Sequence, residues 1–258
     1  MDDRLQITFL GTGTSQGIPI IGNKHPVCLS DDPRDKRLRV SVLVQWKHYN
    51  YVIDCGPDFR QQLLTNPIEK LDGILFTHEH ADHTAGLDDI RPFFFKQGDI
   101  PLFADERVID SLHKRFYYFF LEERYPGVPK VDITPIEKNR RINLNGLDIE
   151  PIEVMHNKLP IFGFKIKDFV YLTDVKTINS DQLERIKNVK VLVVNALREK
   201  PHESHLNLEE ALEMVALIRP KMTYFTHISH LLGFHEEVEA NLPKAVRLAY
   251  DGLKISVG

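Results

Sequence analysis

Apolar and polar positions alternate over short stretches in both halves of the chain, and this pattern predicts β-strands. Residues 40–44 are almost wholly apolar, and residues 49–54 alternate before ending on a carboxylate. The same reading predicts strands at residues 6–10, 40–44, 49–54, 72–77, 147–154, 163–167, 170–173, 189–195, 222–225 and 254–257. Strands with helices between them in both halves indicate an α+β fold, with two packed sheets and helices outside.

One helix is marked clearly by the residues at its two ends. Residues 208–218 are amphipathic and stop before Pro220. Asn207 precedes them and is followed three residues later by Glu210, which is the arrangement of a capping box. No repeat of fixed period and no flexible linker interrupts the sequence, so we expect one domain over residues 1–258.

Residues 91–130 differ from the rest because they contain two runs of aromatic side chains, at 93–95 and 116–120. The simplest explanation of these aromatic runs is that they belong to helices of an inserted segment and pack on the core. The alternatives are that they form a dimer interface or a lid over a functional site. We expect an aromatic-rich helical insertion at about 91–130 and a homodimer.

The composition is that of a soluble globular protein: 258 residues, of which 42% are hydrophobic and 27% charged. Residues 1–4 lack the basic and apolar parts of a signal peptide, and no run approaches the roughly 18 apolar residues of a membrane span. The two cysteines, Cys28 and Cys55, are too few for a disulfide scaffold. With a net charge of −4, we expect a cytoplasmic protein with neither a membrane nor a nucleic-acid partner.

Histidine and aspartate are concentrated in one segment, residues 78–83, directly after a short apolar run. The segment contains His78, His80, Asp82 and His83. A neutral imidazole offers a lone pair and a carboxylate an anionic oxygen, which are the ligands of zinc, manganese and iron. The sequence therefore predicts a metal site on a loop that leaves a buried strand.

Three further side chains of this kind, His156, Asp174 and His227, each lie directly after a predicted strand. Strand ends hold side chains rigidly at one edge of a sheet. The whole set is too large for one tetrahedral ion, so it predicts two divalent cations a few ångströms apart that share a carboxylate. Asp82 and Asp174 are both candidates for that bridge. Zinc, manganese and iron all suit such ligands.

The sequence Thr-His-Glu-His-Ala-Asp-His at 77–83, with Phe-Leu-Gly-Thr-Gly at 9–13 and Ile-Asp-Cys-Gly at 53–56, resembles the metallo-β-lactamase superfamily. The resemblance covers nearly the whole chain and implies a four-layer αββα sandwich with a dinuclear site at one edge. It implies His78, His80 and His156 on one cation, Asp82, His83 and His227 on the other, Asp174 between them, and Asp54 steadying the ligand loop.

Three segments are similar to a narrower branch, the phosphoribosyl 1,2-cyclic phosphate phosphodiesterases of phosphonate degradation. They are Gly-Thr-Ser-Gln-Gly-Ile-Pro at 13–19, Ser-His-Leu-Asn-Leu at 204–208 and Thr-His-Ile-Ser-His at 226–230. The resemblance implies a small cyclic phosphodiester as the substrate, hydrolysed by a metal-bridged hydroxide. His205 and Asp82 are the expected catalytic residues, with His205 protonating the leaving sugar oxygen.

That branch also carries a structural zinc, held by three cysteines and by the second histidine of its last motif. Here Asn23 and His25 stand where two of those cysteines would be, and only Cys28 remains. His25, Cys28 and His230 are therefore candidates for a third zinc. An amide is a poor zinc ligand beside a thiolate, so a metal-free loop is the simpler expectation.

Other functions suit the same ligands. A ribonuclease Z-like enzyme that processes tRNA 3′ ends shares the reaction, but it needs a large basic surface, and this chain has an acidic balance. A thioesterase or lactamase would use the same cations on an acyl carbon. A non-catalytic metal-binding protein of the same fold is the remaining alternative, against which the complete ligand set argues.

Overall fold

The computed structural model describes residues 3–123 and 125–258, so Met1, Asp2 and Arg124 lie outside the described residues. The strands are β1 (Leu5–Gly11), β2 (Ser41–Trp46), β3 (Tyr49–Ile53), β4 (Gly73–Leu75), β5 (Ile100–Ala104), β6 (Val131–Pro135), β7 (Ile142–Leu144), β8 (Leu147–His156), β9 (Leu159–Ile166), β10 (Phe169–Leu172), β11 (Val191–Asn195), β12 (Met222–Thr226), β13 (Val246–Leu248) and β14 (Lys254–Val257). The α-helices are α1 (Pro26–Leu29), α2 (Phe59–Thr65), α3 (Ala81–Thr84), α4 (Arg91–Gln97), α5 (Glu106–Arg115), α6 (Ser180–Ile186), α7 (Leu208–Ile218) and α8 (His235–Ala240).

The strands form two sheets of seven strands each. The first sheet has the order β14-β1-β2-β3-β4-β5-β6, and the second has the order β13-β12-β11-β10-β9-β8-β7. In each sheet, meandering antiparallel strands lie on one side, and parallel strands joined through helices lie on the other. The predicted ligands lie at or just after the carboxyl ends of β4, β8, β10 and β12.

Three apolar layers hold the sheets and helices together. The central layer lies between the sheets and includes Phe9 and Val44 from the first and Phe164 and Tyr171 from the second. One outer layer packs the first sheet on α2 and α5, and the other packs the second sheet on α6 and α7. The expected four-layer αββα sandwich is thereby confirmed. Among the described residues, no helix has both the length and the hydropathy needed to cross a membrane.

The predicted strands all occur within a few residues of their expected bounds, and α7 begins with the predicted capping box. The segment 91–130 needs a correction, because it is not wholly helical. It contains β5, which pairs in parallel with β4 and β6 inside the first sheet. Its aromatic side chains divide between the outer core, where Phe116 and Phe119 are buried, and the surface, where Phe95, Tyr117 and Tyr125 are exposed.

Candidate metal centre

Each predicted ligand lies at the edge where strands of the two sheets end. The loop with His78 to His83 follows β4 of the first sheet. His156 ends β8, while Asp174 and His227 follow β10 and β12 of the second sheet. Both sheets therefore contribute to one group of metal-ligating side chains.

Three residues at this edge adopt a left-handed backbone conformation that non-glycine residues rarely adopt. Asp54, Asp174 and His227 have φ angles of 64°, 57° and 54°, and each follows a strand closely. This conformation costs free energy, of order 1–3 kcal/mol per residue. It turns the chain sharply where each strand ends and directs the side chain across the edge of the sheet.

The side chains converge in overlapping groups whose ligand atoms all lie within 4.8 Å of one another. The groups are His78, His80 and His156; His78, His83 and Asp174; Asp82, His83 and His227; and His156, Asp174 and His205. Within the part of the chain that the structure describes, Asp174 belongs to two of these groups. Each of the other two groups shares at least one histidine with a group that contains Asp174. Two neighbouring cation sites that share Asp174 fit this arrangement.

The geometry favours Asp174 over Asp82 as the carboxylate between the two cations. Its Oδ2 lies 3.3 Å from Nε2 of His83, and its Oδ1 lies 3.2 Å from Nε2 of His227. Asp82 faces the same two histidines, at 3.3 and 3.8 Å, but belongs to no described group with His78 or His156. These positions favour Asp174 for the role that the sequence left open between the two carboxylates, and that role stays a prediction.

Buried nitrogen atoms without hydrogen-bond partners show that the residues present fit a cation. Nε2 of His83, both ring nitrogens of His227 and Nδ1 of His205 are buried and form no hydrogen bond with the described residues. An unsatisfied buried polar atom costs about 1–3 kcal/mol. Coordination of divalent cations would satisfy the nitrogens that point to the centre of the site.

The charges also fit a cation. Burial alone would lower the pKa of His83, but Asp174, Asp54 and Asp82 raise it well above its usual value. Burial, followed by the charge of His83, holds the pKa of His78 well below its usual value. The carboxylates thus stabilise positive charge in the site. A divalent cation would supply that charge and displace the proton from Nε2 of His83.

Asp54 orients the ligand loop through three hydrogen bonds. Its carboxylate accepts from Nδ1 of His83 at 2.7 Å and from the backbone nitrogen and hydroxyl of Thr77, both at 2.8 Å. With its proton on Nδ1, His83 presents the lone pair of Nε2 to the site. Thr77 Oγ1 also lies 3.0 Å from Nδ1 of His78 and fixes that ring in the same way. The role implied for Asp54 agrees with these contacts.

The segment that carries His205 lies beside the ligands. Nδ1 of His156 donates to the carbonyl of Ser204 at 2.9 Å. The His205 ring lies 4.7 Å from the rings of both His156 and His227, and its Nδ1 lies 3.6 Å from Oδ1 of Asp174. Burial, then the charge of His227, lowers the pKa of His205 to about 3. His205 is therefore neutral at pH 7 in this arrangement of side chains.

Glycines let the loops of the site approach one another closely. A Cβ on Gly56 would lie 1.9 Å from the carbonyl oxygen of Asp82, and one on Gly86 would lie 2.1 Å from that of Gly56. No larger residue fits either position without moving a backbone. The ligand loop is therefore packed directly on the loop after β3.

The candidates for a third zinc are only partly brought together. The rings of His25 and His230 are in edge contact at 4.9 Å, and Nδ2 of Asn23 lies 3.3 Å from Nε2 of His230. Cys28 is buried and unpaired. Among the described residues, these side chains form no convergent group like those of the main site. The third zinc stays a prediction.

Three residues that contact the candidate ligands or the His205 segment have no distinct signal in the sequence. Thr77 is part of the motif but has no predicted role, and any residue has a backbone carbonyl like that of Ser204. Lys176 is the third: its Nζ pairs with Glu210 at 2.6 Å and lies 3.4 Å from the carbonyl of His205. Its position two residues after a ligand was the only available signal.

Comparison with known proteins gives consistent results. The family model of the β-lactamase superfamily domain matches residues 49–228. A crystal structure described as a new diphosphatase of the PhnP family is 40% identical, with a TM-score of 0.92, over 98% of this chain and 97% of that one. An octanoyltransferase of Porphyromonas gingivalis is 37% identical over 97% of this chain. A ribonuclease Z of Borreliella afzelii is 23% identical over 84% of this chain and 88% of that protein.

The chain spans about half (51%) of the length of the P. gingivalis relative, so that protein's name cannot be assigned to the matching half. The match to the PhnP-family structure extends over essentially the whole of both chains. It confirms the superfamily and the branch that the sequence resembles. By the family model and by this match, the chain belongs to the β-lactamase superfamily, in the branch of the PhnP family.

Proposed function

We propose that this protein hydrolyses a small phosphodiester, with two divalent cations held by the residues described above. His78, His80 and His156 would hold one cation, Asp82, His83 and His227 the other, and Asp174 both. When bound, such cations lower the pKa of water and neutralise charge on phosphate oxygens. Zinc and manganese suit the ligands, as does iron.

The observation that carries the proposal is the position of His205. Its ring lies against ligands of both groups, and its Nδ1 is buried without a hydrogen-bond partner among the described residues. A bound phosphodiester brings negative charge beside this ring and raises its pKa. His205 then carries a proton at the place where the leaving oxygen develops charge, which is what a general acid requires.

The other residues prepare the site. Asp54 and Thr77 hold the rings of His83 and His78, and the Ser204 carbonyl holds His156, so the ligands keep their orientation without a cation. Asp82 is largely buried, with about an eighth (13%) of its side chain exposed, and faces both His83 and His227. We propose it as a ligand that also orients the attacking water.

A second candidate is a diphosphate as the substrate, which the PhnP-family diphosphatase favours because it is 40% identical to this chain. Attack on phosphorus is common to both reactions, but a phosphate leaving group needs no proton from His205. The relative named ribonuclease Z supports tRNA as a third candidate. The acidic balance of this chain argues against it.

A substrate panel tests the proposal. Purified protein of measured metal content is assayed on bis-nitrophenyl phosphate, cyclic ribose phosphates, cyclic nucleotides, a nucleoside diphosphate diester and a precursor tRNA. We expect turnover of a cyclic ribose phosphate to exceed that of the diphosphate and the tRNA. Two bound cations without turnover of any phosphodiester would contradict the proposal and support a non-catalytic protein.

A further inference from the structure

A groove on the far side of α7 is separate from the metal site. Two adjoining depressions of about 610 and 270 Å³ share Leu208 and Leu212 as their floor. Together we call them the acidic groove. Its floor consists of Leu208, Leu212, Leu232, Val238 and Leu242, and its rim includes Glu199, Glu209, Glu213 and Glu237.

The floor is continuous and apolar. Leu208, Leu212 and Ala216 follow one another at intervals of four residues, so they share one face of α7. Leu232 and Val238, from the turn before α8 and from α8 itself, form the facing wall. The α7 stripe extends for about 12 Å, which matches about two turns of a second helix.

The rim carries uncompensated negative charge. The carboxylates of Glu199, Glu209, Glu213 and Glu237 are exposed, and none forms an ion pair or a side-chain hydrogen bond with a residue that the structure describes. An apolar floor between unpaired carboxylates repels phosphate and anionic lipid. It complements a helix with apolar residues on one face and lysine or arginine beside them.

We propose that the acidic groove is a docking site for a cationic amphipathic helix of a protein partner. Apolar side chains of that helix would cover Leu208 and Leu212, and its cations would pair with Glu209 and Glu213 on one side and Glu199 and Glu237 on the other. This proposal does not depend on the substrate of the metal site.

The groove lies next to the segment that carries His205. The carbonyl of Glu199 accepts a hydrogen bond from Nδ2 of Asn207 at 2.8 Å, and the carbonyl of Arg198 accepts one from the nitrogen of Leu208 at 2.9 Å. A helix in the groove would therefore contact residues at both ends of the segment that carries His205, such as Glu199 and Leu208.

The test uses the full chain and a synthetic 15-residue helical peptide made only of leucine on one face and lysine on the other, followed by fluorescence anisotropy. We expect saturable binding that weakens as salt rises from about 50 to 500 mM. The double variant Glu209→Lys/Glu213→Lys should weaken binding about tenfold or more. The matched control Glu122→Lys/Glu123→Lys has the same net charge change at an exposed pair outside the groove and should bind within about twofold of the parent.

A second pair of variants distinguishes binding to the apolar floor from general attraction between opposite charges. Leu212→Ser removes an apolar side chain from the floor of the groove, whereas Leu217→Ser removes an exposed leucine side chain of the same helix outside the groove. Only the first should weaken binding, with both proteins shown to be folded by circular dichroism. Equal affinity in the groove and control variants would overturn the proposal. So would a dimer of the parent protein, seen by sedimentation, that dissociates in Glu209→Lys/Glu213→Lys, because the occupant would then be a second copy of this chain.

Discussion

At the scale of the residue, the metal centre depends on side chains whose types were evident in the sequence and whose conformations were not. Histidine and aspartate at strand ends indicated the ligands. The left-handed conformations of Asp54, Asp174 and His227 could not be predicted, because they arise where packed strands force a sharp turn. The same holds for the preference for Asp174 over Asp82 as the candidate shared carboxylate, which depends on distances between segments far apart in sequence.

His205→Ala tests the role of the imidazole beside the ligands. We expect turnover of a diester with an alkyl leaving group to fall about 100-fold or more, because that alkoxide needs a proton. Turnover of bis-nitrophenyl phosphate should change little, since nitrophenolate leaves unprotonated. Metal content should remain at the level of the parent protein. Loss of a bound cation in the variant would instead show that His205 is a metal ligand. Equal losses of turnover on both substrates would exclude general-acid catalysis by His205.

A buried histidine away from the metal site predicts how stability depends on pH. Nδ1 of His235 lies 3.0 Å from Nη2 of Arg37, and burial followed by the Arg37 charge lowers the pKa of His235 to about 4. Between about pH 6.5 and 4 the unfolded chain binds a proton there that the folded protein does not. The free energy of unfolding should therefore fall, by up to about 3 kcal/mol, as pH decreases through this window.

His235→Asn isolates this contribution. The amide oxygen can take the place of Nδ1 opposite Arg37 but does not titrate. Urea denaturation from pH 7 to pH 4 should give a shallower loss of stability for the variant than for the parent protein. Parallel curves would show that His235 does not titrate in this range.

At the scale of the element, hydrophobic pattern was sufficient for most strands and for α7. It failed for β5, which lies within an aromatic segment whose spacing is also typical of helices. It also failed for β6, and for β7 and β13, which have three residues each and too few apolar neighbours to stand out as a run. Contacts between loops, such as that of the ligand loop on Gly56, leave no periodic signal at all.

Gly86→Ala tests that loop contact. The added Cβ would lie 2.1 Å from the carbonyl oxygen of Gly56 and 2.8 Å from Cβ of Phe59. We expect a loss of about 3 kcal/mol in unfolding free energy and reduced metal content, because the ligand loop must move. Chemical denaturation and metal analysis measure both effects.

Gly22→Ala is the matched control for Gly86→Ala. Gly22 has a φ of 74° and no heavy atom within 4 Å of an added Cβ, so only backbone strain of about 1 kcal/mol is expected there. Equal costs at both positions would show that the contact between the loops does not matter.

At the scale of the whole molecule, the predicted metal ligands come from both sheets. The ligand loop belongs to the first sheet, and His156, Asp174 and His227 belong to the second. Cations at this edge would therefore stabilise the association of the sheets as well as the loops. Removing them should weaken the whole fold rather than one segment.

Metal removal tests this connection. The protein treated with a chelator should melt at a lower temperature, and added zinc or manganese should restore the melting temperature. At a free metal concentration of 1,000 times the dissociation constant, the gain in unfolding free energy should be about 4 kcal/mol. The variant Asp174→Ala should lose most of this response. His48→Ala, which removes an exposed histidine far from the ligands, should keep it. An unchanged midpoint after complete metal removal would contradict the expected link between the sheets.

The division of ligands between the sheets also has a consequence for biosynthesis. Residues 78–83 leave the ribosome long before β12 and His227 are made. Neither of the two proposed cations could acquire its full set of ligands from the first half alone, because one set includes His156 and the other His227. Capture of these cations would therefore be a late event that follows the assembly of both sheets. The metal in the finished protein would then depend on the ions available after synthesis, and a cell could change it by changing its metal supply.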